Sequence, residues 1–590
     1  MKTKKINLRT LFAACFVGCF VTLASADNLP LFTTDIKMND KGEMLLTEKG
    51  VKRVDLFSLD GKLLRSYPME AVPTGILVDG GKAYVTTFET KGELKVLSLE
   101  NGTVEVAIPT GSGACSPIFG IDKKRVYVCN QFENTVSEID VENYKVLRTV
   151  KVLREPRSAV LSKDGRYMYV TNFLPSQRAD VDYVAACVSV IEMDGFTKVK
   201  DIKLANGSNA VRGICMAPDG KYVYVSHNLG RFAVPTSQLQ QGWMNTSAFS
   251  VIDTEKQEFV GAVVVDEPER GAAGIWSIAC DDNQIYISHS GTHEVSVIDH
   301  PALREKFEAY PDKSVLDYDL NFLYGIRERI SLQGNGPRSM LLVDGKLIVP
   351  TYFADVLNVM DVNTREVTSV ALNPNRTESD IHKGERFFND ASRCFQNWQS
   401  CNGCHPGDAR TDGMNWDLMN DGVGNSKNCK SLLFSHVTPP NMISGIREHA
   451  ERAVRAGYNF IQFFDIAEEE AVCVDEYLKS LQPVPSPLLV NGELSELAKE
   501  GRKVFDKLKC GECHSGPYYT DMKYHRIGDD VEFEKGWDTP TLREVWRTSP
   551  YLFDGRAATM EEVFEVHKHG IDKKVSKKDI EALVEFVNSL

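Results

Sequence analysis

The chain has 590 residues, of which 42% are hydrophobic and 25% are charged. This length is too great for one ordinary core and fits one large and one medium domain, and the average globular composition excludes wholesale disorder. The 68 basic and 82 acidic residues leave a formal net charge of −14. Such a balance lacks the basic surface that phosphate backbones require, so nucleic-acid binding is not expected.

The N-terminus has the pattern of a secretory signal. Four basic residues precede an apolar run at 11–23, and the small residues Ala24-Ser25-Ala26 follow it as a cleavage site. The run is shorter than the roughly 20 residues that span a bilayer. We therefore expect residues 1–26 to be a signal peptide, the mature protein to be periplasmic or otherwise exported, and no membrane span. Phe16-Val17-Gly18-Cys19 leaves a lipoprotein anchor as the alternative.

A β-rich phrase recurs from about residue 30 to residue 370. Its clearest copies lie at 83–87, 126–130, 168–172, 223–227 and 285–289, and weaker copies at 43–46 and 347–351 complete seven units. Four short strands per unit cannot bury both faces alone, whereas units arranged radially pack face to face. The pattern predicts an all-β seven-bladed propeller at 27–373. The units resemble YVTN-type propeller repeats, a resemblance that is specific for fold and weak for function.

The roles of the histidines and the cysteines in the propeller strands are left open by the sequence. His227 and His289 occupy the place that Asn130 and Asn172 occupy in other units. A metal site is one interpretation, but local hydrogen bonding explains Asn and His alike and is favoured. Buried packing and disulfide formation are both open for five cysteines, namely Cys115, Cys129, Cys187, Cys215 and Cys280.

Beyond about residue 374 the hydrophobic period becomes helical. Apolar residues recur at three- and four-residue spacing in 448–464, 466–481 and 494–508, and a proline-rich stretch at 483–487 divides the region. The pattern predicts a second, mainly α domain at 374–590, with halves at about 378–487 and 488–590.

Each half contains one c-type haem attachment motif. These are Cys401-Asn402-Gly403-Cys404-His405 and Cys510-Gly511-Glu512-Cys513-His514. Two thiols one turn apart form thioethers with the haem vinyl groups, and the adjacent imidazole reaches the iron. Two matches in an exported chain predict two covalently bound haem c groups, with His405 and His514 as iron ligands.

Downstream segments indicate the sixth ligands. The segments 440–445 and 550–555 correspond in the two halves, and they place Met442 and Leu552 at similar distances from the two motifs. A cytochrome c fold takes its sixth ligand from such a loop, so Met442 is predicted to bind the first iron. His436 is the rival ligand, and core packing is the alternative role for a single methionine.

The second haem is predicted to differ from the first. Leu552 cannot bind iron, so this haem is expected to have an open distal side where peroxide binds. Four side chains are alternatives that would close it, namely Tyr551, His525, His567 and His569.

Residues 378–590 resemble the bacterial di-haem cytochrome c peroxidase family, which includes the di-haem enzymes that mature methylamine dehydrogenase. The resemblance lies in 516–521, 524–528, 539–543, 549–556 and 559–562. It is most specific in the two attachment motifs and in Asp554-Gly555-Arg556. It implies that a Met-ligated haem passes electrons, that the other haem reacts with hydrogen peroxide, and that Ca²⁺ lies between the halves.

The resemblance also implies catalytic residues and shows departures. Glu561 matches the acid that assists at the peroxide haem, and Arg556 supplies positive charge there; the alternative is that Glu561 only begins a helix. Family members usually put the reactive haem in the first half, whereas Met442 lies in the first half here. They also use a tryptophan between the haems, for which Trp416 and Trp546 are weak substitutes.

Two functions follow from these patterns. The first is a peroxidase, or a peroxide-dependent oxidase of a partner protein, with the propeller as the docking platform. The alternative is an electron-transfer or binding protein whose haems only relay electrons. In both, an unidentified donor or substrate protein is the expected partner.

Overall fold

The computed structural model describes residues 28–89, 91–233, 244–418, 424, 426–527, 534–571 and 574–590. The predicted signal peptide lies outside these residues. Within them, every helix is too short or too polar to cross a bilayer.

Seven antiparallel sheets form the predicted propeller, and their strands follow one another along the chain. The first three blades comprise Thr33–Met38, Met44–Glu48, Arg53–Phe57 and Leu63–Pro68; Val72–Asp79, Lys82–Phe88, Gly92–Ser98 and Val104–Pro109; and Ala114–Phe119, Arg125–Asn130, Thr135–Asp140 and Lys145–Lys151. Blades four and five comprise Pro156–Leu161, Tyr167–Asn172, Cys187–Glu192 and Thr197–Lys203; and Ser208–Asn209, Ile214–Met216, Tyr222–Gly230, Asn245–Asp253 and Glu258–Val264. Blades six and seven comprise Ile275–Cys280, Gln284–His289, Glu294–Asp299 and Arg327–Ser331; and Leu341–Val343, Lys346–Pro350, Val356–Asp361 and Val367–Ala371. The prediction of seven blades is confirmed.

Hydrophobic layers between neighbouring blades hold the propeller together. Valine, isoleucine and tyrosine fill the second strand of each blade because both faces of that strand are covered, as in Tyr222–Gly230, whose residues are all buried. The ring closes where Ile348 and Leu357 of blade seven pack against Ile36 and Phe57 of blade one. No strand is exchanged at this closure among the described residues.

His227 and His289 are satisfied inside their blades. His227 hydrogen-bonds the Asn228 carbonyl at 2.8 Å and the Ser250 hydroxyl at 2.8 Å. His289 makes the equivalent bonds to Ala272 and Ser296. Burial lowers the pKa of His227 to about 4 and that of His289 to about 3, so both rings are neutral. These contacts support the hydrogen-bonding interpretation.

Two of the five propeller cysteines lie in contact. The sulfurs of Cys215 in blade five and Cys280 in blade six are 3.5 Å apart. All five are free thiols in the structure, and Cys115 and Cys129 also lie opposite each other on neighbouring strands of blade three.

Helices dominate the chain after the last blade. The helices of the whole chain are α1 (His300–Ala309, inserted in blade six), α2 (Asp380–Asn389), α3 (Pro406–Ala409), α4 (Ala450–Phe460), α5 (Glu468–Ser480), α6 (Glu496–Lys507), α7 (Met560–Glu565) and α8 (Lys577–Asn588). Short 3₁₀ turns lie at Lys313–Tyr318, Ala391–Arg393, Phe395–Asn397, Cys401–Gly403, Cys510–Glu512 and Val545–Arg547. Two small ribbons pair Asn415–Trp416 with Lys427–Asn428 and Tyr524–His525 with Trp537–Asp538.

The two halves repeat one helix crossing. Helix α2 packs on α5 in the first half, and α6 packs on α8 in the second. At the crossings, a Cβ atom on Gly384 would lie 1.9 Å from the Cys473 carbonyl, and one on Gly501 would lie 1.8 Å from the Ala582 carbonyl. Only glycine allows such an approach of two backbones. The structure thus supports the internal duplication.

Buried ion pairs join the propeller to both helical halves. Arg547 of the second half donates to Glu155 of blade four at 3.0 Å and to Glu544 at 3.4 Å. Glu544 in turn accepts two hydrogen bonds from Arg410 of the first half, at 2.8 and 2.9 Å. Arg154 of the propeller adds a bond to the Arg547 carbonyl at 2.7 Å. All five side chains are at least nine-tenths buried.

Candidate functional site

The two attachment motifs adopt the same local structure. Each Cys-x-x-Cys segment forms one 3₁₀ turn, and the following histidine amide donates to the first cysteine carbonyl, at 3.0 Å in His405 and 2.9 Å in His514. Nδ1 of His405 then donates to the Arg410 carbonyl at 3.0 Å, and Nδ1 of His514 donates to the Tyr519 carbonyl at 3.1 Å. These bonds orient each ring and leave Nε2 available as a metal ligand.

Burial keeps the attachment residues uncharged. It lowers the pKa of both His405 and His514, and it raises the pKa of Cys401 and of Cys510 to about 11. It also raises the pKa of Cys404 and Cys513. Neutral imidazole is the ligating form of histidine, and two cysteines one turn apart beside it are the attachment residues of haem c. The donor set fits covalently attached haem at both motifs.

A cavity of about 250 Å³ borders the first motif. His405, Cys401 and Cys404 line it together with Met442, which the duplicated loop holds at φ = 70°. Helix α4 contributes the small or apolar side chains Ala453, Val454 and Gly457. His405 and Met442, predicted as partners from the sequence, therefore face the same space.

His436, the rival ligand, lies elsewhere. Its Nε2 hydrogen-bonds the carboxylate of Asp475 on α5 at 3.1 Å, and Arg455 forms an ion pair with the same carboxylate. His436 and Asp475 are both almost fully buried. His436 is not among the residues that line the cavity.

At the second motif a histidine faces the proximal ligand. The ring centres of His514 and His569 are 6.2 Å apart, with an angle of 48° between the ring planes. Two metal–nitrogen bonds of about 2 Å each, plus the distance from each nitrogen to its ring centre, account for such a separation. This separation would allow both imidazoles to bind one metal ion, and it also falls in the range of ordinary contacts between aromatic rings.

The segment after α7 positions His569, and the segment after α4 matches it. The amides of His567 and His569 donate to Glu562 and Val563, as those of Gln462 and Phe464 donate to Gly457 and Tyr458. Residues Lys568 and Phe463, which precede His569 and Phe464, both have φ = 50°. Phe464 is therefore the first-half equivalent of His569. Phenylalanine cannot bind iron, so the two sites differ at this position.

The other side chains considered for the second site have other contacts. Leu552 packs against the helical core of the second half, and the Tyr551 hydroxyl donates to the Val545 carbonyl at 3.1 Å. His525 pairs with Asp521 at 2.8 Å. Among the alternatives that the sequence leaves open, His569 is the one whose ring is found in contact with that of His514 in the described part of the chain. The open second site stays a prediction, and an alternative to it is proposed below.

Glu561 and Arg556 lie near the second motif in sequence but face different surroundings. Glu561 is exposed in the first turn of α7. Arg556 bonds Asp554 at 2.7 Å, and its guanidinium lies 4.7 Å from the centre of the Phe553 ring. These positions leave the catalytic roles of both as proposals, and a test of Glu561 is given below.

Three tryptophans of the helical domain, Trp416, Trp537 and Trp546, lie in different surroundings. Trp416 lines the first cavity and donates to Asp412 at 2.8 Å, whereas Trp546 contacts Phe132 of the propeller. Trp537 is buried and stacks on Phe553, with ring centres 4.3 Å apart. The sequence interpretation missed Trp537, although it directly precedes a residue that borders the cavity.

That residue, Asp538, forms an ion pair which sequence reasoning also missed. Its carboxylate lies 3.0 Å from Nζ of Lys430, and both residues line the cavity although they come from opposite halves. Burial raises the pKa of Asp538, and Lys430 opposes this effect. The sequence offered only the segment Gly536-Trp537-Asp538 before Thr539, so neither the partner of Asp538 nor its place could be predicted.

Calcium, which the family resemblance implied, has no evident site. In the described part of the chain, no three or more His, Cys, Asp or Glu side chains are grouped so that they could hold a metal ion. The structure thus gives no support to this expectation.

Comparison with known proteins finds weak homology to redox proteins. Hydrazine synthase subunit gamma of Kuenenia stuttgartiensis is 26% identical over 275 residues, covering 36% of this chain and 77% of that protein. Cytochrome c551 peroxidase of Nitrosomonas europaea is 21% identical over 210 residues, covering 30% and 60%. Hydrazine synthase subunit beta is 24% identical over 236 residues, covering 38% and 59%.

The chain thus spans about three fifths of the peroxidase and of subunit beta. Among solved structures, hydrazine synthase of Kuenenia stuttgartiensis shares the fold, with a TM-score of 0.51 and 19% identity over 58% of this chain and 96% of that one. No family model matches the sequence.

Proposed function

We propose that this protein is an exported di-haem c-type cytochrome that reduces hydrogen peroxide, or uses it to oxidise a partner protein. The observation that carries the proposal is the pair of equivalent attachment sites with unequal surroundings. One site pairs His514 with His569, and the other opens onto the cavity beside His405. The distant peroxidase relative and the resemblance of residues 378–590 to di-haem peroxidases support it.

The residues around the two sites suit them to different roles, electron transfer at the second site and peroxide access at the first. Bound haem would supply one-electron transfer at both sites and peroxide chemistry at one of them. His514 and His569 would hold the second group from both sides, which excludes other ligands and suits electron transfer. His405 and Met442 would hold the first group in the resting protein. Thioether sulfur is the softer and more easily exchanged ligand, so we place peroxide access at the first site.

Asp538 and Lys430 give the first site a means of handling protons. Peroxide cleavage requires a proton to leave one oxygen and another to reach the second, and a positioned acid or base speeds such a step by about 10²- to 10⁴-fold. The Asp538 carboxylate borders the cavity, is 4% exposed, and can exchange a proton at its Oδ atoms. Lys430 holds it in place at 3.0 Å.

The pair Asp538→Asn and Glu561→Gln distinguishes the two candidate reaction sites. We expect Asp538→Asn to slow peroxide reduction by about 10²-fold or more, and Glu561→Gln, an exposed residue, to leave the rate near that of the parent. Stopped-flow measurement of the reaction of the reduced protein with peroxide gives both rates. If Glu561→Gln is the slow variant, the second site is the reactive one, as the sequence alone suggested, and the placement proposed here is wrong.

Haem stoichiometry tests the cofactor. The parent protein is expected to contain two covalently bound haems, and the double variant Cys510→Ala and Cys513→Ala is expected to retain one. The reason is that each thioether pair is independent and lies one turn from its own histidine. A pyridine haemochrome assay measures both values. Haem extracted by acidic acetone from the parent protein would contradict the proposal.

Substitution of Met442 tests the first site. Met442→Ala is expected to abolish the near-infrared sulfur-to-iron band and to lower the reduction potential of one haem, because the soft ligand that favours ferrous iron is lost. His436→Ala is the matched control, since His436 bonds Asp475 outside the cavity. A loss of the band in His436→Ala but not in Met442→Ala would exclude Met442 as the ligand.

The alternative function is an electron-transfer or binding protein. It is favoured by the observation that both sites have a second candidate ligand, Met442 or His569, which would leave neither iron open. Visible and EPR spectra with and without hydrogen peroxide separate the two functions. Spectra that peroxide leaves unchanged in the reduced protein would establish the alternative.

A further inference from the structure

Cationic side chains cluster at one mouth of the propeller channel. In four blades the innermost strand carries a bulge near its start, at Thr34, Thr74, Arg157 and Trp276. The equivalent residues in the remaining blades are Cys115, Arg212 and Arg338, from the matching strand pairings. Blades four to seven therefore place three arginines and one tryptophan side by side around the mouth.

The aromatic side chains bring these arginines together. The guanidinium groups of Arg212 and Arg338 lie 4.2 and 4.1 Å from the centre of the Trp276 indole. Arg157 and Arg212 share the Phe173 ring in the same way, at 4.3 and 5.4 Å. The side chains of Trp276 and Arg338 are only partly buried, so they keep accessible surface at the mouth.

Arg212 is a buried cation to which the described residues supply no counter-charge. It is 6% exposed and donates only to the backbone carbonyls of Ala210 and Ile275, at 3.2 and 3.4 Å. Its Nη2 atom has no hydrogen-bond partner. Burial, then Arg338 and Arg157, hold the pKa of Arg212 well below its usual range. Burial of an unpaired charge is unfavourable unless a partner satisfies it.

Arg338 is likewise paired only with neutral groups. It donates to the Ser290 hydroxyl at 3.3 Å and to the Asn389 amide oxygen at 3.0 Å. Asn389 ends helix α2, so Arg338 links the mouth to the helical domain. Among the described residues, no carboxylate forms an ion pair with Arg212 or Arg338.

The acidic groups nearby are committed to other cations. Glu155 bonds Arg547 at 3.0 Å and lies 3.8 Å from Arg157. Lys49, Arg547, Arg410 and Arg157 together hold the pKa of Asp408 far below its usual range, against the effect of burial. These carboxylates balance the charge on the Asp408 side of the mouth and leave the Trp276 side positive.

We infer that a small inorganic oxyanion binds at this mouth between Arg212 and Arg338, against the edge of Trp276. A guanidinium presents paired N–H donors that match the oxygens of such an anion, and charge-assisted bonds of this type are short and strong. The unused Nη2 of Arg212 supplies one donor that no protein group satisfies. The anion would bridge blades five and seven close to Asn389, and so would strengthen the contact between the propeller and the helical domain.

Thermal unfolding of the full holoprotein tests this site. Unfolding temperature is measured while sodium phosphate, sulfate or nitrate replaces sodium chloride at constant ionic strength. At least one oxyanion is expected to raise the unfolding temperature in a saturable way that chloride does not reproduce. Arg212→Met and Arg338→Met are expected to raise the half-saturating concentration at least tenfold. Arg338→Met alone carries the test if Arg212→Met does not fold.

Arg166→Met is the control, because Arg166 is an exposed arginine that pairs with Asp164 on the outside of blade four. Equal weakening in Arg166→Met would overturn the inference, since the effect would then be general screening. A parent protein that no oxyanion stabilises would also overturn it. If that result is joined by a changed haem reduction potential in Arg212→Met, the positive charge serves a haem propionate instead of a free anion.

Discussion

Replacing His569 with alanine is expected to convert the second haem from a low-spin to a high-spin centre while both haems stay attached. The structure places the His569 ring 6.2 Å from that of His514, and no thioether or thiolate takes part in this contact. Two imidazoles give iron a strong ligand field, and removal of one leaves water or an empty position. EPR and visible spectra of the oxidised protein should show one of the two haems changed.

His567→Ala is the matched control for this substitution. His567 lies two residues earlier in the same turn and is also partly buried, but the ring that faces His514 is that of His569. A spectrum altered by His567→Ala and unaffected by His569→Ala would show that the other histidine is the ligand. If neither variant changes the spectrum, the second site is open or is closed by a different group, and the prediction based on Leu552 regains its support.

The propeller could be predicted from the sequence because its information is local and repeated. Each blade repeats the same pattern of burial, and the residues at 168–172 and 285–289 form the same fully buried strand in two different blades. Where the pattern is weak in one unit, the other units still indicate the same strand. The helical segments were found for a related reason, since helices α5 and α6 each carry an apolar face with the helical period.

The ligand role proposed for His569 could not be predicted in the same way. Comparison of equal spacings from each attachment motif pointed to Met442 and Leu552, which do occupy equivalent loops with φ = 70°. His569 comes from a different segment, beyond a helix that has 11 residues in the first half and 6 in the second. Because that difference in length shifts the register, the equivalence of His569 and Phe464 emerges only from backbone hydrogen bonds.

Contacts between segments that lie far apart in the chain could not be predicted from the sequence either. Asp538 and Lys430 belong to different halves, and Glu155 and Arg547 belong to different domains. A charged residue in a sequence is most often solvated, and nothing in the local pattern around Glu155 or Arg547 marks them as buried. Only the packed structure shows that charge pairs hold the two domains together.

Arg547→Met is expected to lower the free energy of unfolding by about 3–5 kcal/mol, because it leaves two buried carboxylates without their shared cation. Arg547 donates to Glu155 at 3.0 Å and to Glu544 at 3.4 Å; after the change Glu544 keeps Arg410 and the Val484 amide as donors. Chemical denaturation followed by circular dichroism and by haem absorbance gives the loss for each domain. Arg543→Met, four residues away and bonded to a backbone carbonyl at the surface, is the matched control.

The same network predicts how this contact depends on pH. Burial alone would raise the pKa of Glu155, but Arg547 and then Arg157 lower it to about 2. A carboxyl group whose pKa is depressed by folding stabilises the folded state above its unfolded value, near 4.3, and this contribution is lost as the pH falls toward 2. The parent protein should therefore lose stability between about pH 4.3 and pH 2 more steeply than Glu155→Gln, which cannot titrate there. Equal slopes for the two proteins would show that Glu155 is not held as a carboxylate by Arg547.

The denaturation experiment on Arg547→Met has its own contradicting outcome. A loss of less than 1 kcal/mol in the free energy of unfolding, comparable to that of an exposed pair, would show that the domains are held together by other contacts.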